Sequence, residues 1–387
     1  MPWRVSHVMN ERMRFVVRLQ EGERMTDLCR EFGISRKTGY KFRQRYREFG
    51  PGGLFDESRR PLRPANETPE EIKRLILALK RERPTWGAKK LRSVLEQGHP
   101  GIRLPVLSTI QLLLAKNGLV KRQRRRRHRG LFFQKQWTES SAPNEVWSAD
   151  FKGQFRMGNG AYCYPLTISD HYSRYLISCE GLDSTNVLAA KGVFESAFRQ
   201  HGLPRVIRTD NGPPFATTGI AGLSRLSVWW MRLGIGIERI EPGHPEQNGR
   251  HERMHLTLKQ HATRPPAGNL LQQQERFDDF VEEYNSIRPH EGLDMRRPAD
   301  LYSRSQRDYP DSLPDPEYPL HDMVRGVSNV GKVHLIGRRK DFFVGAALGG
   351  QKLGLRETEE GRWLVTFMDM DLGYVDEKTR SFEPIAS

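Results

Sequence analysis

Four acidic residues in the middle of this chain have the side-chain type and setting to bind hard cations. They are Asp150 in VWSADF, Asp210 in RVIRTDNG, and Glu246 and Glu252 in HPEQNGRHERM. Mg²⁺ and Mn²⁺ prefer oxygen ligands, and carboxylates supply them while leaving positions for water and phosphate. A pair of such ions suits phosphodiester cleavage or exchange, because it neutralises the phosphate and activates the entering and leaving oxygens. Residue type alone shows only suitable ligands. A lone strand aspartate is also met as a satisfied polar residue, Asp-Asn-Gly as a plain turn, and a helix-start glutamate as a complement to the helix dipole.

Charge is the second chemical signal. The 387 residues carry 63 Lys+Arg and 47 Asp+Glu, a formal net charge of +16. Residues 1–140 hold 33 basic and 14 acidic side chains, and the rest of the chain holds 30 and 33. Such a basic block is an electrostatic footprint for a polyanion, most often nucleic acid. Within it, KRQRRRRHR at 121–129 contains Arg124, Arg125, Arg126 and Arg127. So charged a stretch does not fold by itself and reads as an arm on phosphates or in a minor groove. Cys29, Cys163 and Cys179 are scattered and form no CxxC pair, which argues against a disulfide scaffold or a cysteine-rich zinc module. No apolar run approaches the ~18 residues of a membrane span, and the first residues lack a signal-peptide core. The expectation is a cytoplasmic protein with no membrane partner, at the nucleoid when bound to DNA.

The elements that must position these groups follow from periodicity and capping. Residues 1–50 read as three helices, with Phe15, Val16 and Leu19 on one face of the first, and Leu28, Cys29 and Phe32 turned inward from the second. Thr26 is the expected cap of the second helix, Gly33 its stop, and Ser35 the cap of a third that runs to Phe49. A short helix, a glycine turn and a basic helix make a helix-turn-helix pattern. Its second helix would present Arg36, Lys37, Lys41 and Arg43 to bases or phosphates. Gly39 weakens that helix by roughly 1 kcal/mol relative to alanine. Residues 51–68 are Gly- and Pro-rich and read as a linker. Residues 69–120 read as a second helix-turn-helix, with Ile72, Leu75, Ile76 and Leu79 in its first helix and Ser108 capping its last. The basic arm occupies 121–140.

Across 141–303 the pattern is three strands, helix, strand, helix, strand, helix, which predicts a mixed sheet flanked by helices. Asp150 falls in mid-strand, Asp210 directly after a strand, and Glu252 in the first turns of a helix. His255 and Lys259 lie three and seven residues beyond Glu252 on the same face, where they could meet DNA. Asp170 and Asp183 read as turn residues. Phe277, Phe280, Val281 and Tyr284 read as packing on one helix face. Residues 304–326 form a proline-rich linker, and 327–387 alternate as short strands of a small β-barrel, with Arg338, Arg339 and Lys340 as local positive charge.

Three segments carry a family resemblance: WSADF, RTDNGPPF and HPEQNGRHERMHLTLK, followed by YNSIRPHEGLDMRRPADLY at 284–302. They resemble the acidic signatures of the retroviral-integrase-type (DDE) catalytic core found in bacterial insertion-sequence transposases. The match covers residues 140–303, and the last two acidic segments are its specific part. It implies an RNase H-like α/β core with a mixed five-stranded sheet, between N-terminal all-α helix-turn-helix modules and the C-terminal barrel. It implies Asp150, Asp210 and Glu252 as catalytic residues and as ligands of two Mg²⁺ or Mn²⁺ ions. Thirty-five residues separate Asp210 from Glu246, the usual gap in that family, and 41 separate it from Glu252. Spacing favours Glu246; motif context and a fixed place on a helix favour Glu252, and extra residues around 216–226 account for the longer gap. The resemblance implies that Gln247 and Asn248 orient DNA; His244 and His251, beside the third acid, are placed to contact phosphate or, as loop histidines commonly are, simply exposed.

The expected function is a transposase that binds the double-stranded ends of an insertion sequence, cuts them, and joins the freed 3′-hydroxyl to target DNA. Acting on two ends implies a homodimer or higher oligomer. A helix-turn-helix regulator with an inert core, and a nuclease that does not join strands, are the other readings.

Overall fold

The computed structural model describes residues 8–56, 67–120, 137–241, 249–334, 341–359, 361–376 and 381–385. The chain divides into two compact units, Met1–Pro69 and Glu70–Ser387. Among the described residues no helix is long and apolar enough to cross a membrane.

The first unit contains α1 (Val8–Gln20), α2 (Met25–Glu31) and α3 (Arg36–Phe49). Phe15, Val16, Leu28, Cys29 and Leu54 form its buried centre. Ser35 caps α3 by accepting the Thr38 amide at 3.2 Å, as its position predicts. Helix α2 starts one residue before Thr26 and has Arg24 at its cap position, with no side-chain cap bond. Gly39 is buried at the crossing of α3 with its neighbours. A Cβ there would lie 2.7 Å from Met25 Sδ, 2.8 Å from Cys29 Sγ and 2.9 Å from Phe15 Cζ, so the glycine permits the close approach.

In the second unit, α4 (Glu70–Glu82), α5 (Ala88–Gly98) and α6 (Leu107–Lys116) pack around Ile76, Trp86, Leu91, Ile110 and Leu114. Val106, not Ser108, precedes the first turn of α6. The buried Lys80 ammonium closes the α4–α5 connection by donating to the carbonyls of Pro84 and Trp86, each at 2.7 Å.

The central sheet is built from β1 (Val146–Phe151), β2 (Phe155–Arg156), β3 (Tyr162–Asp170), β4 (Leu176–Leu182), β5 (Val206–Thr209) and β6 (Gly236–Arg239). Five strands run in the order β4-β3-β1-β5-β6, and the two-residue β2 also pairs with β3. Strands β1, β3 and β4 are antiparallel neighbours, whereas β5 and β6 join in parallel, so the sheet is mixed as expected. Helices α7 (Val187–His201) and α8 (Arg225–Arg232) cover one face; α9 (Gly249–His261) and α10 (Leu270–Glu282) accompany a second cluster. Side chains alternate across a strand. Trp147, Ala149 and Phe151 of β1, with Leu166 and Ile168 of β3, pack with Phe194, Phe198 and Trp230. Ser148, Asp150, Thr167 and Ser169 therefore point to the other face, toward α9.

The segment after the core is more tightly tied than a linker. Ser305 N donates to His201 O at 2.9 Å, the Arg307 guanidinium reaches the Pro204 carbonyl at 2.6 Å, and the Tyr309 ring stacks on Phe198. Beyond it, β7 (Met323–Gly326), β8 (Lys332–His334), β9 (Asp341–Phe343), β10 (Lys352–Glu359), β11 (Arg362–Phe367), β12 (Met370–Asp376) and β13 (Phe382–Pro384) follow. They form an open antiparallel sheet, β13-β12-β11-β10-β7, and a β8–β9 hairpin. Among the described residues these sheets do not close into the expected barrel. Leu223 and Val228 of the central domain share this module's apolar cluster, and Arg232 donates to Gln351 Oε1 at 2.7 Å.

Candidate active site

Asp150 lies near the end of β1, next to the parallel strand β5, and Asp210 follows β5 directly. The Asp210 carboxylate accepts the Gly212 amide at 3.2 Å, and Asn211 donates to the Ile240 carbonyl at 2.6 Å, which ties the turn to the end of β6. Glu252 is exposed in the first turn of α9. Burial pushes the Asp150 carboxyl up to about 7, and the charges of Asp210 and then Glu252 add to the rise; the Phe151 amide and Lys152 oppose it. The three carboxylates thus share one electrostatic neighbourhood. Burial also raises Asp210. Two carboxyls short of solvent, one of them also raised by the charges of the other and of Glu252, fit the donor set of a divalent cation, whose charge would offset that rise.

Helix α9 is seated by a polar cluster that its sequence did not reveal. His251 and His255, one turn apart, are 2% and 6% exposed and their rings meet edge to face at 4.7 Å. The Thr167 hydroxyl lies 2.7 Å from Nε2 of each, and donates to the Asp150 carbonyl oxygen at 3.0 Å. Ser169 Oγ lies 2.9 Å from His251 Nδ1, and His255 Nδ1 lies 3.7 Å from Asp150 Oδ2. Burial lowers the pKa of His251 to about 3 and of His255 to about 2, with the other imidazole and Lys152 contributing for His255. The expectation that His255 faces DNA is corrected: it faces the sheet. Lys259 is half-buried beside Lys152, whose pKa is lowered by burial and by that neighbouring charge.

Two further buried charged groups brace the central sheet. Arg208, in β5 two residues before Asp210, pairs with Glu238 of β6 at 2.8 Å and lies over the Trp137 ring at 4.5 Å. Glu238 also accepts the Thr138 amide at 2.9 Å, so the segment entering the core is anchored to β5 and β6. Asp170, expected in a turn, is instead the buried end of β3. Its carboxylate accepts the amides of Asn144 (2.8 Å) and Ser173 (2.7 Å) and the Ser173 hydroxyl (2.6 Å).

Arg36, Lys37, Lys41 and Arg43 are all exposed on α3. Arg124 to Arg127, the cluster His244, Glu246, Gln247 and Asn248, and Arg338, Arg339 and Lys340 lie outside the described residues.

Comparison with known proteins agrees with this organisation. Two family models described as integrase core domain match residues 140–245 and 233–298. A helix-turn-helix domain matches 11–61 and a homeodomain-like domain 38–114. An uncharacterized 31.7 kDa protein of insertion element IS407 from Burkholderia multivorans is 25% identical over 232 residues, 59% of this chain and 79% of that one. An uncharacterized 39.2 kDa protein of insertion element IS476 from Xanthomonas euvesicatoria is 27% identical over 218 residues, 55% of this chain and 59% of that one. The catalytic core domain of HTLV-2 integrase, solved in complex with magnesium, is 15% identical and aligns over 43% of this chain and all of that one, with a TM-score of 0.34.

Proposed function

We propose that this chain, an insertion-sequence transposase by its integrase core and helix-turn-helix domains, performs Mg²⁺-dependent cleavage of its element's DNA ends and transfers the freed strand to target DNA. The observation that carries the reading is the placement of Asp150 at the end of β1 beside Asp210 after β5, with the Asp150 carboxyl raised by burial first and then by the charges of Asp210 and Glu252. A strand, a strand-end turn and a helix each contribute one acid, and a site of this kind concentrates negative charge without neutralising it. Asp150, Asp210 and Glu252 would hold two Mg²⁺ or Mn²⁺ ions, which supply charge neutralisation at the phosphate and activation of the attacking oxygen when bound. The chain's own part is positional. Strand β1 fixes Asp150, the turn after β5 fixes Asp210, and the α9–β3 hydrogen bonds fix the helix that carries Glu252.

DNA recognition falls to Arg36, Lys37, Lys41 and Arg43 of α3, to Arg124, Arg125, Arg126 and Arg127 of the basic segment, and to Asn248 and Lys259 near the acids. Because two ends are joined to one target, the working form is a homodimer or higher oligomer on double-stranded DNA. Incubating the protein with the DNA that flanks its own gene and Mg²⁺, then mapping 3′ ends and joined products, tests the reading. Specific binding with no cut strand would leave only a DNA-binding regulator, and cut strands without joined products would leave a nuclease.

A further inference from the structure

The imidazoles behind Asp150 have proton positions dictated by their partners. Thr167 Oγ meets the Asp150 carbonyl oxygen at 3.0 Å and the Nε2 atoms of His251 and His255 at 2.7 Å each. The hydroxyl has one proton, and a carbonyl oxygen only accepts. All three contacts are hydrogen bonds only if the hydroxyl donates to the carbonyl and both Nε2–H groups donate to the hydroxyl. His251 then receives the Ser169 hydroxyl at Nδ1, 2.9 Å away, so both of its nitrogens are engaged. In the neutral ring of His255, Nδ1 is left with a bare lone pair.

That atom lies 3.7 Å from Asp150 Oδ2, with the two side chains 8% and 23% exposed. Ligand atoms of Asp150, His251 and His255 all lie within 4.8 Å of one another. Once Asp150 is ionised, two electron-rich atoms facing each other with little water around them repel unless a positive charge lies between them. An ion with bonds of ~2.1 Å holds its ligand atoms roughly 3–4.2 Å apart, depending on the angle between them. The observed separation falls in that range.

We infer that His255 Nδ1 is a ligand of the divalent ion held by Asp150, so that this is a mixed nitrogen–oxygen metal site rather than an all-carboxylate one. The inference rests on the metal-dependent reading above and adds a residue and a metal preference to it. Thr167 is the positioning residue: a ligating histidine has its other ring N–H held by an outer partner, which sets tautomer and ring orientation. His251, with both nitrogens used, supports the same hydroxyl and is not a ligand. Nitrogen ligation shifts preference from Mg²⁺ toward Mn²⁺ and other transition ions.

The test is pulsed electron paramagnetic resonance of Mn²⁺ on the full-length protein. The expected spectrum of the wild type shows hyperfine coupling to a directly bonded nitrogen, absent in His255→Gln. Mn²⁺ should outcompete Mg²⁺ by at least about tenfold, and by less in His255→Gln. Thr167→Val keeps the imidazole but removes its holder, and should weaken Mn²⁺ binding about 10–100-fold. Saturable Mn²⁺ that is lost in Asp150→Asn yet shows no nitrogen coupling in the wild type overturns the inference and leaves the carboxylate reading intact. DNA cutting that survives Asp150→Asn overturns that reading itself. The wild-type spectrum decides even if a variant fails to fold.

Discussion

Thr167 stands opposite Asp150 in the antiparallel pairing of β1 and β3, and its hydroxyl donates to the Asp150 carbonyl oxygen at 3.0 Å. The same hydroxyl lies 2.7 Å from each of two imidazoles of α9, so one side chain joins the strand that carries the first acid to the helix that carries the third. The relation of Asp150 to Glu252 is thereby set by buried hydrogen bonds between the sheet and the helix. Such fixed geometry is what charge stabilisation at a reacting phosphate requires.

Asp150 gives the metal-free protein a distinctive pH dependence. Its carboxyl is pushed up to about 7 by burial, with the Asp210 and Glu252 charges adding. Between the unfolded value of about 3.9 and that pH, the native protein retains a proton that the unfolded chain has lost. Stability in EDTA therefore falls as pH rises through this window and levels off above it. Asp150→Asn should remove the fall and stabilise the protein at pH 8 by on the order of 2 kcal/mol. Divalent-ion affinity should rise with pH up to about 7, because binding displaces the proton. Thermal unfolding at stepped pH checks both, and a wild-type melting temperature that climbs more steeply than the variant's contradicts them.

Arg36, Lys37, Lys41 and Arg43, four of the exposed cations of α3, make a separate, ionic prediction. Replacing Lys37 or Lys41 by Gln should weaken binding to element ends at all sequences alike. Each substitution that frees one phosphate should also lower the slope of log affinity against log salt by about 1. Replacing Arg36 or Arg43 should relax sequence preference as well where the guanidinium reads a base edge, at a cost of about 1–3 kcal/mol. Fluorescence anisotropy at several salt concentrations separates the cases. An unchanged slope in all four variants would remove α3 from the DNA surface.

Asp170 is predicted to be structural. In Asp170→Ala the amides of Asn144 and Ser173 and the Ser173 hydroxyl lose their acceptor in a buried place, a cost of about 3 kcal/mol or more. Asp170→Asn keeps one acceptor oxygen and should lose less. Urea unfolding measures the difference, and equal stabilities would show the carboxylate to be dispensable.

The fold was legible where pattern is local. Strand and helix order over the core, the mixed sheet, the Ser35 cap and the apolar face containing Phe277, Phe280 and Tyr284 follow from periodicity and capping, which are properties of neighbouring residues. What was hidden depends on partners far along the chain. The four-residue spacing of His251 and His255 puts them on one helix face, but only the pairing of β1 with β3 shows that Thr167 and Ser169 wait beneath it. Asp170 resembles a turn residue until the amides it accepts are known. The stretch at 304–326 has a linker's composition, yet Arg307 and Tyr309 dock on the core through side chains that composition does not weigh. The strands of the C-terminal module were evident from alternation, whereas the open order of its sheet is a matter of closure, which alternation does not encode.

Asp150, Asp210 and Glu252 are proposed to work as one phosphoryl-transfer site. The most direct measurement compares Asp150→Ala, Asp210→Ala, Glu252→Ala and Glu246→Ala with the wild type for Mg²⁺-dependent cutting of element ends, alongside end binding. The first three should each lose roughly 10³-fold or more of the cutting rate, corresponding to several kcal/mol of lost charge stabilisation, and keep end binding. Glu246→Ala should cut as the wild type does. Full cutting by Glu252→Ala together with loss in Glu246→Ala would move the third acid to position 246, and full cutting by Asp150→Ala would show that these acids do not form the cutting site.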